Sequence, residues 1–227
     1  MSRTKKISIT FAVVILGFIA ILIAKIILIS VPTHGSKIVR YENPRKAVFV
    51  IDIQEDYTGT TAKPPFPYKD SAKLIAAVNT ITEAAATKNI IIVYIRQELD
   101  GFLGRLLSNL FAGGTAIRGN PGTEIDKRIT VISGNIFPKP KSDAFSNPKL
   151  GEFLITNQVD ELYLVGLDAA GCVHNTARGA LNRGYAVTII TDAIVLREEE
   201  KWAELLKQYE EEGISLMTRQ DFINENR

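Results

Sequence analysis

The sequence contains one cysteine, Cys172, and two histidines, His34 and His174. A single cysteine excludes an internal disulfide framework. The same scarcity leaves too few ligands for a zinc site of the usual Cys/His kinds, so the sequence predicts no metal site. Any chemistry in this protein must therefore use few reactive side chains.

Acidic residues are nearly absent from the amino-terminal part of the chain. Up to Lys46 the sequence has eight basic residues and one acidic residue, Glu42, a balance of +7, so the rest of the chain carries −5 of the total +2. An acidic globular part lacks the electrostatic footprint of a nucleic-acid-binding protein. No G-x-G-x-x-G motif follows the first predicted strand, which disfavours a nucleotide-dependent oxidoreductase and predicts no cofactor.

Charge is also missing from a long apolar run near the amino terminus. The eighteen residues from Ile7 to Ala24 include no charged residue, and after Lys25 the run continues to Val31. Eighteen helical residues extend roughly 27 Å, close to the roughly 30 Å hydrocarbon core of a bilayer. The sequence thus predicts a single transmembrane helix over residues 7–31, after a short basic amino terminus at residues 1–6, and a membrane location.

The alternative to a retained anchor is a cleaved secretory signal, whose charged region would be residues 1–6. The apolar run is longer than a typical signal, and no small-x-small cleavage site follows it cleanly, which favours the anchor. Basic residues flank both ends of the run in similar number, so the charge rule does not assign the side of the membrane. Residues 32–45 are polar and turn-rich, which predicts a linker to a domain at residues 46–227.

From Lys46 onward, short apolar β-branched runs alternate with helical patterns. Strands are predicted at about 47–53, 90–95, 129–132, 161–165, 186–191 and 214–217. Helices are predicted at about 71–88, 148–157, 172–183 and 198–212, and the Gly-containing segment 101–122 is predicted to be irregular. This alternation implies parallel pairing with right-handed crossovers, hence a three-layer α/β/α sandwich with a mainly parallel sheet. Ligands bind such sheets beyond the carboxyl ends of the strands.

Two polar side chains are predicted at strand ends, where a ligand site is expected. Asp52 lies near the carboxyl end of the first strand, in the apolar segment VFVIDIQEDY. A buried carboxylate is costly unless it is paired or used in chemistry; the alternative is an aspartate that caps a helix or fixes a loop. Cys172 lies where a strand gives way to a helix, whose amino terminus favours thiolate and can hold an oxyanion. The alternative for a lone cysteine is a small buried apolar residue.

A lysine is also available near the mouth of the predicted sheet. Lys139 and Lys141 follow a short apolar run in IFPKPKSDAF, and an extended loop is expected there; a solvated surface position is the alternative for either lysine. His174 is two positions past Cys172 and points away from it on a helix, so a Cys/His dyad is not expected. The thiol then needs a carboxylate as its base. The residues after Asp52 can line the site but receive no role: Gln54, Glu55, Asp56 and Tyr57.

Three segments together resemble the isochorismatase-like cysteine hydrolases, a superfamily that includes nicotinamidases, N-carbamoylsarcosine amidase and ureidoacrylate amidases. The segments are VIDIQEDY, KPKSDAF and GLDAAGCVHNTARGALNRGYAVTIITDA, in the family's order and spacing, and the resemblance covers residues 46–223. It implies the family's fold and a catalytic triad of Asp52, Lys139 and Cys172. Lys139 is preferred to Lys141 because it stands six residues before Phe145, as the family's lysine does.

The resemblance also implies features of the backbone around the cysteine. A non-proline cis peptide is expected between Leu167 and Asp168. The backbone N–H groups of Asp168 and Cys172 would then form the oxyanion hole. Because related proteins are commonly oligomers, a homo-oligomer is implied as well.

Two departures from the family pattern narrow the expected chemistry. Nicotinamidases carry an Asp/His/His metal site, whereas the segment RQELDGFLGRLLSNLFAGG contains no histidine, which disfavours both a bound metal and nicotinamide as the substrate. Isochorismatases proper lack the cysteine, so Cys172 favours amide chemistry. The resemblance therefore implies hydrolysis of a C–N bond in a small carboxamide or ureido substrate through a Cys172 thioester. The alternative is a catalytically silent, membrane-tethered small-molecule-binding or scaffold domain of the same fold, whose cysteine would alkylate slowly.

Overall fold

A computed structural model of the chain describes residues 3–60, 62, 66 and 68–225, without the side chains of residues 3–10, 12 and 14. The first two residues of the predicted basic amino terminus, and the side chains of the rest of it, lie outside this description. The described residues form helices α1 to α7, at Arg3–Ser30, Ser71–Thr87, Gly101–Phe111, Pro148–Thr156, His174–Leu181, Trp202–Glu211 and Arg219–Asn224.

Six parallel strands form one sheet, as the alternating pattern predicts. Strands β1 to β6 are Arg45–Ile51, Ile91–Gln97, Ile136–Lys139, Val159–Leu167, Ala186–Val195 and Ser215–Met217. Their order across the sheet is β3-β2-β1-β4-β5-β6, and every neighbouring pair is parallel. All carboxyl ends therefore meet at one edge of the sheet, with β1 and β4 at its centre.

Helices cover both faces of the sheet and complete a three-layer sandwich. Successive residues of a strand point to opposite faces, so Phe49 packs with one set of helices and Val50 with the other. Side chains of α4, α5 and α6 cover the first face, and those of α2 and α7 cover the second. From Ala47 in β1 and from Leu162 in β4 the central strands are buried on both sides, which explains why these stretches are continuously apolar.

Two predicted segments differ from the structure. The strand expected at residues 129–132 is absent, and β3 at Ile136–Lys139 takes its place in the sheet. Pro138 is tolerated there because β3 is an edge strand, in which one side of the backbone makes no ladder hydrogen bonds. The segment expected to be irregular contains α3, whose first N–H group, at Gly101, donates to the carboxylate of Asp100 at 2.7 Å.

The amino-terminal region combines a long helix with an extended segment that packs on the domain. Helix α1 spans 28 residues. After it, residues 32–41 have no helix or strand, and Ile38 N–H donates to the carbonyl of Arg183 at 2.8 Å. Among the described residues, no helix combines the length and the hydropathy needed to cross a bilayer. The transmembrane helix predicted over residues 7–31 is therefore not supported.

One close backbone approach lies directly beside the carboxyl edge of the sheet. Gly166 of β4 is in register with Ile51, the last residue of β1. Its φ angle is +118°, and a Cβ atom at this position would lie 2.1 Å from the carbonyl oxygen of Ile51. Only glycine fits here, and its fit lets β4 run close against the end of β1.

Candidate active site

Four side chains meet at the carboxyl edge because their strands end there. Asp52 directly follows β1, with a φ angle of +56°, and its N–H group donates to the carbonyl of Ile95 at 3.0 Å. Gln97 and Lys139 are the last residues of β2 and β3 and are register partners. Cys172 lies in a π-helical turn, residues 169–173, that joins β4 to α5. The sheet thus brings together residues that are far apart in sequence.

The ammonium of Lys139 is the centre of this cluster. Its Nζ atom lies 2.9 Å from Asp52 Oδ2 and 3.1 Å from Cys172 Sγ. It also donates to Gln97 Oε1 at 2.5 Å and to the carbonyl of Lys141 at 3.2 Å. Lys139 is only 1% exposed, so these contacts replace its hydration. Of the two candidate lysines, Lys139 lies with Asp52 and Cys172, and Lys141 contributes a backbone carbonyl.

Burial and pairing shift the pKa values of the buried ion pair. Burial raises the pKa of Asp52 above the usual carboxyl range, against the opposing effect of the Lys139 ammonium. For Lys139, burial by itself would lower the pKa. The neighbouring Asp52 and Cys172 favour the charged form more strongly, so the net effect is a raised pKa. The lysine therefore stays charged, and the carboxylate is a stronger base than an exposed aspartate.

The protonation state of the Cys172 thiol differs from the thiolate that its position near a helix terminus predicts. Burial, followed by the charge of Asp52, raises the pKa of Cys172 to about 12, although the Lys139 ammonium opposes the shift. The resting sulfur is therefore a thiol at neutral pH. Position in the chain suggested thiolate because sequence alone does not reveal the depth of burial or the adjacent carboxylate.

Two buried glutamines brace the cluster, and sequence reasoning assigned neither of them a role. Gln97 accepts from Lys139 Nζ through Oε1 and donates from Nε2 to the Lys139 carbonyl at 3.0 Å. Gln54 accepts from the Gln97 N–H group at 2.6 Å and donates to the Gln97 carbonyl at 3.1 Å. A correct register between β2 and β3 would have revealed Gln97, because the register pairs it with Lys139.

The turn that carries Cys172 is organised by Asp168. The peptide bond between Leu167 and Asp168 is cis, as the resemblance implies. One carboxylate oxygen of Asp168 accepts from Ala170 N–H at 2.9 Å, and the other accepts from Arg197 N–H at 3.0 Å. These bonds fix the turn on both sides. The oxyanion hole expected from the N–H groups of Asp168 and Cys172 stays a prediction.

A cavity of about 530 Å³ opens onto this cluster. Its lining combines the reacting groups with apolar and aromatic side chains, and includes Asp52, Cys172, Tyr57, Phe66, Tyr68, Leu99, Leu167 and Arg197. Asp52 Oδ1 is buried and has no hydrogen-bond partner among the described residues. A buried acceptor of this kind is free to bind a proton or a donor from a substrate. Of the four residues after Asp52 that were expected to line the site, Tyr57 does so.

Arg197 supplies a cation to the wall of the cavity. Its guanidinium lies over the rings of Phe66 and Tyr68, at 5.1 and 5.3 Å from their centres, and donates to Tyr68 Oη at 3.2 Å. No carboxylate forms a salt bridge with it in the described part of the chain. A guanidinium that is not held in a salt bridge can bind an anionic group of a ligand.

His174 lies outside the cluster, as predicted. It is buried in α5, where Nε2 lies 2.7 Å from Glu212 Oε2 and the ring packs edge-on against Tyr209. Within the described residues, no group of three or more His, Cys, Asp or Glu side chains is arranged to hold a metal ion. Because His174 lies away from Cys172, the base nearest to the thiol is a carboxylate rather than an imidazole.

Comparisons with known proteins identify the family of the chain. The family model for the isochorismatase domain matches residues 46–221. Over 158 residues the chain is 28% identical to N-carbamoylsarcosine amidase from Arthrobacter sp., a match that covers 66% of this chain and 59% of that protein. The chain thus spans less than two thirds of the length of that relative.

Similar folds occur in solved structures. A cysteine hydrolase from Pseudomonas syringae has a TM-score of 0.71 at 20% identity, over 84% of this chain and 97% of that one. The zinc complex of pyrazinamidase from Pyrococcus horikoshii has a TM-score of 0.64 at 24% identity, over 77% and 99%. At these identities the likeness establishes the fold. With the family model matching most of the chain, the protein belongs to the isochorismatase family.

Proposed function

We propose that the protein is a hydrolase that cleaves a C–N bond of a small carboxamide or ureido substrate through a Cys172 thioester. The observation that carries this proposal is the cluster of a thiol, an ammonium and a carboxylate around Lys139 Nζ, with both distances near 3 Å, at the base of a cavity. An amide carbon at this point would lie within reach of a nucleophile and a base.

In the first half of the reaction, Asp52 accepts the thiol proton while Cys172 Sγ attacks the carbonyl carbon. The unpartnered Oδ1 atom is the free acceptor for this proton. The C–N bond then breaks as Asp52 returns the proton to the leaving nitrogen, which departs as ammonia or an amine. Lys139 offsets the negative charge that moves between the carboxylate and the sulfur, in a site too buried for water to do so.

In the second half, the thioester is hydrolysed by the same groups. Asp52 takes a proton from water, and the oxygen attacks the thioester carbonyl. The C–S bond breaks, and the sulfur regains its proton from Asp52. In both halves, the backbone N–H groups of Asp168 and Cys172 would stabilise the oxyanion, a role worth roughly 3 to 4 kcal/mol per donor in other enzymes.

Two observations favour a ureido acid within this substrate class. Arg197 lines the same cavity, and none of the salt bridges in the described chain involves its guanidinium, so it can hold a carboxylate of the substrate. The curated relative bears the name N-carbamoylsarcosine amidase, which combines a ureido group with a carboxylate. A substrate with both groups would place its carbamoyl carbon at Cys172 and its carboxylate at Arg197.

Ammonia release from a panel of small amides and ureido acids tests this function. We expect turnover by the full chain and its loss in Cys172→Ala and in Cys172→Ser, with circular dichroism showing that both variants fold. Near wild-type turnover in either variant would reject the thioester mechanism. Binding of ureido acids without any ammonia release by the wild type would instead favour a silent binding domain.

We also propose that residues 7–31 hold the protein at a membrane. The support is the exposure of large apolar side chains along α1, such as Phe11, Leu16 and Ile23, and the eighteen-residue stretch without charge. Carbonate extraction of membranes from producing cells tests this location. Retention of the full chain in the pellet is expected, and its release together with peripheral proteins would contradict it.

A further inference from the structure

Helix α1 exposes apolar side chains around its whole circumference. The exposed residues among its described side chains include Phe11, Val13, Ile15, Leu16, Phe18, Ile19, Ile21, Ile23, Ile26, Ile27 and Leu28. At about 100° per residue these positions reach all sides of the helix. A protein partner covers a stripe of a helix, whereas a helix that is apolar all round needs apolar surroundings on every side. This pattern favours hydrocarbon over a single protein surface.

A second apolar surface adjoins the first. Helix α3 buries Leu107 and exposes Phe102, Leu110 and Phe111, and it contacts α1. The term apolar rim refers below to these exposed side chains: Ile26, Ile27, Leu28, Phe102, Leu110 and Phe111. Exposed phenylalanines on adjoining helices are typical of surfaces that bind an apolar partner or a membrane.

The apolar rim borders the mouth of the active-site cavity. Ile29 and Ser30, at the end of α1, line the same cavity as Cys172. Leu99 and Ala112, on either side of α3, line it too. The ends of both rim helices are therefore walls of the cavity.

Hydrogen bonds hold the end of α1 in this position. The N–H and hydroxyl groups of Ser142 both donate to the Ile29 carbonyl, at 2.9 and 2.7 Å. The N–H group of Thr33 donates to the buried carboxylate of Asp143 at 2.7 Å, and Asn182 donates to the Thr33 carbonyl at 2.9 Å. These ties join α1 to the loop that follows Lys139, so the helix end is a fixed part of the cavity wall.

We propose that the apolar rim rests on a lipid bilayer and that the site takes amphiphilic ureido acids or amides, whose apolar part lies along α1 and α3. The substrate class rests on the proposed hydrolase function. The lipid contact is independent of that activity and extends the proposed membrane attachment from α1 to α3. Lys25, exposed on α1 next to Ile26, adds attraction to anionic headgroups.

Fluorescence quenching tests the lipid contact without any catalysis. The full chain, carrying Phe111→Trp, is reconstituted with brominated phosphatidylcholine vesicles, and the quenching is compared with that of the wild type, whose one tryptophan is Trp202. Ile155→Trp is the matched control, because Ile155 is similarly exposed on α4 and does not line the cavity. We expect strong quenching only in Phe111→Trp. Equal quenching in both variants, or in neither, would overturn the lipid contact.

Two substrates that differ only in an alkyl chain test whether the site prefers amphiphilic compounds. N-Carbamoylglycine and N-carbamoyl-2-aminodecanoate share a ureido group and a carboxylate and differ in an alkyl chain. We expect the double variant Phe102→Ser/Phe111→Ser to lower kcat/KM for the longer compound about tenfold, because the buried chain loses its apolar contacts. The shorter compound should be hydrolysed at the wild-type rate, and Ile155→Ser should change neither. Equal effects on the two compounds would overturn the substrate class.

The outcomes separate the two proposals. Quenching at residue 111 without ammonia release from any substrate would reject the hydrolase function and keep the lipid contact. Ammonia release without quenching would keep the function and reject the contact. If light scattering shows a dimer that Phe102→Ser/Phe111→Ser dissociates, and lipid does not quench, a second copy covers the rim and the lipid proposal is wrong.

Discussion

Two ionic clusters at opposite edges of the sheet use similar side chains in different surroundings. At the carboxyl edge, Lys139 is 1% exposed and pairs with Asp52 at 2.9 Å. At the amino edge, the Lys46 side chain is 38% exposed and contacts Glu161 at 3.2 Å and Glu225 at 3.0 Å. Water solvates the second cluster but not the first. Loss of one charged partner would therefore leave an uncompensated charge only in the buried cluster, because water can solvate the remaining charges of the other cluster.

The difference explains why one lysine can serve chemistry and the other serves stability. In the buried cluster the pKa of the Asp52 carboxyl is raised, so a proton can move between it and the sulfur. In the solvated cluster, partial burial by itself would raise the pKa of Glu225, but the hydrogen bonds and charges around it, first of all the bond from Lys46, outweigh this effect. The pKa of Glu225 is therefore lowered, and this carboxylate stays ionised at neutral pH. Burial, rather than residue type, separates the two roles.

The largest effect is expected for Lys139→Met. We expect kcat/KM to fall by about 1,000-fold or more and the unfolding free energy to fall by about 3 to 5 kcal/mol, because the buried Asp52 loses its counter-charge. Without Lys139, the pKa of Asp52 in the folded state rises further above its unfolded value. The loss of stability should therefore grow as the pH rises through that range. Urea unfolding at several pH values measures it, and a loss no larger than that of Lys46→Met would remove the contrast between the edges.

The variant Asp52→Asn separates the alkylation rate of Cys172 from the turnover of substrate. In the wild type the pKa of Cys172 is about 12, so iodoacetamide should alkylate it more slowly at pH 7 than free cysteine. Slow alkylation of the wild type therefore does not separate the hydrolase from the silent binding domain, contrary to the expectation from sequence. Removing the Asp52 charge takes away one cause of that raised pKa, so alkylation should become faster. Turnover should fall by about 100- to 10,000-fold because the base is lost. If alkylation slowed as well, Asp52 would not act on the sulfur as its position indicates.

An intermediate effect is expected for Gln97→Met, which keeps the side-chain length and removes both hydrogen bonds to Lys139. We expect kcat to fall by about 10- to 100-fold with little change in KM, because the ammonium loses its alignment. Steady-state kinetics measures this split. Gln208→Met is the control, since Gln208 is exposed on α6. Equal kcat values in the two variants would show that Gln97 does not position the lysine.

The smallest effect is expected for Lys46→Met at the solvated edge. We expect a loss of less than about 1 kcal/mol of unfolding free energy and unchanged turnover. The wild type should lose the contribution of Glu225 as the pH falls through the lowered pKa of that group, because a depressed carboxyl pKa stabilises the fold above it. Unfolding at pH 7 and near pH 4 compares the two proteins. A larger loss at pH 4 than at pH 7 would contradict this assignment.

The central sheet could be predicted because its strands are buried on both faces. The continuous runs AVFVI in β1 and LYLV in β4 mark these strands, and their parallel order follows from the intervening helices. The edge strand β3 could not be found this way, since two prolines near Lys139 are typical of a loop. The helix α3 was also missed, because its glycines disguise the helical pattern.

The candidate site was predictable where the chemistry is carried by unusual residues in unusual places. Asp52 stands out because it directly follows an apolar strand, and Cys172 because it lies in the turn between an apolar strand and a helix. Gln97 does not stand out, because its role depends on lying opposite Lys139 in a strand pair that the sequence misassigned. Arg197 depends on the fold that brings the end of β5 to the cavity, and no local pattern marks it.

The hydrogen atom that serves as the side chain of Gly166 is as necessary to the cluster as any reactive group. Even a methyl group there would push against the last carbonyl of β1 and shift Asp52, the next residue, away from its partners. Among random variants of this chain, position 166 should thus tolerate as little change as the cysteine itself, although Gly166 takes no part in bond making.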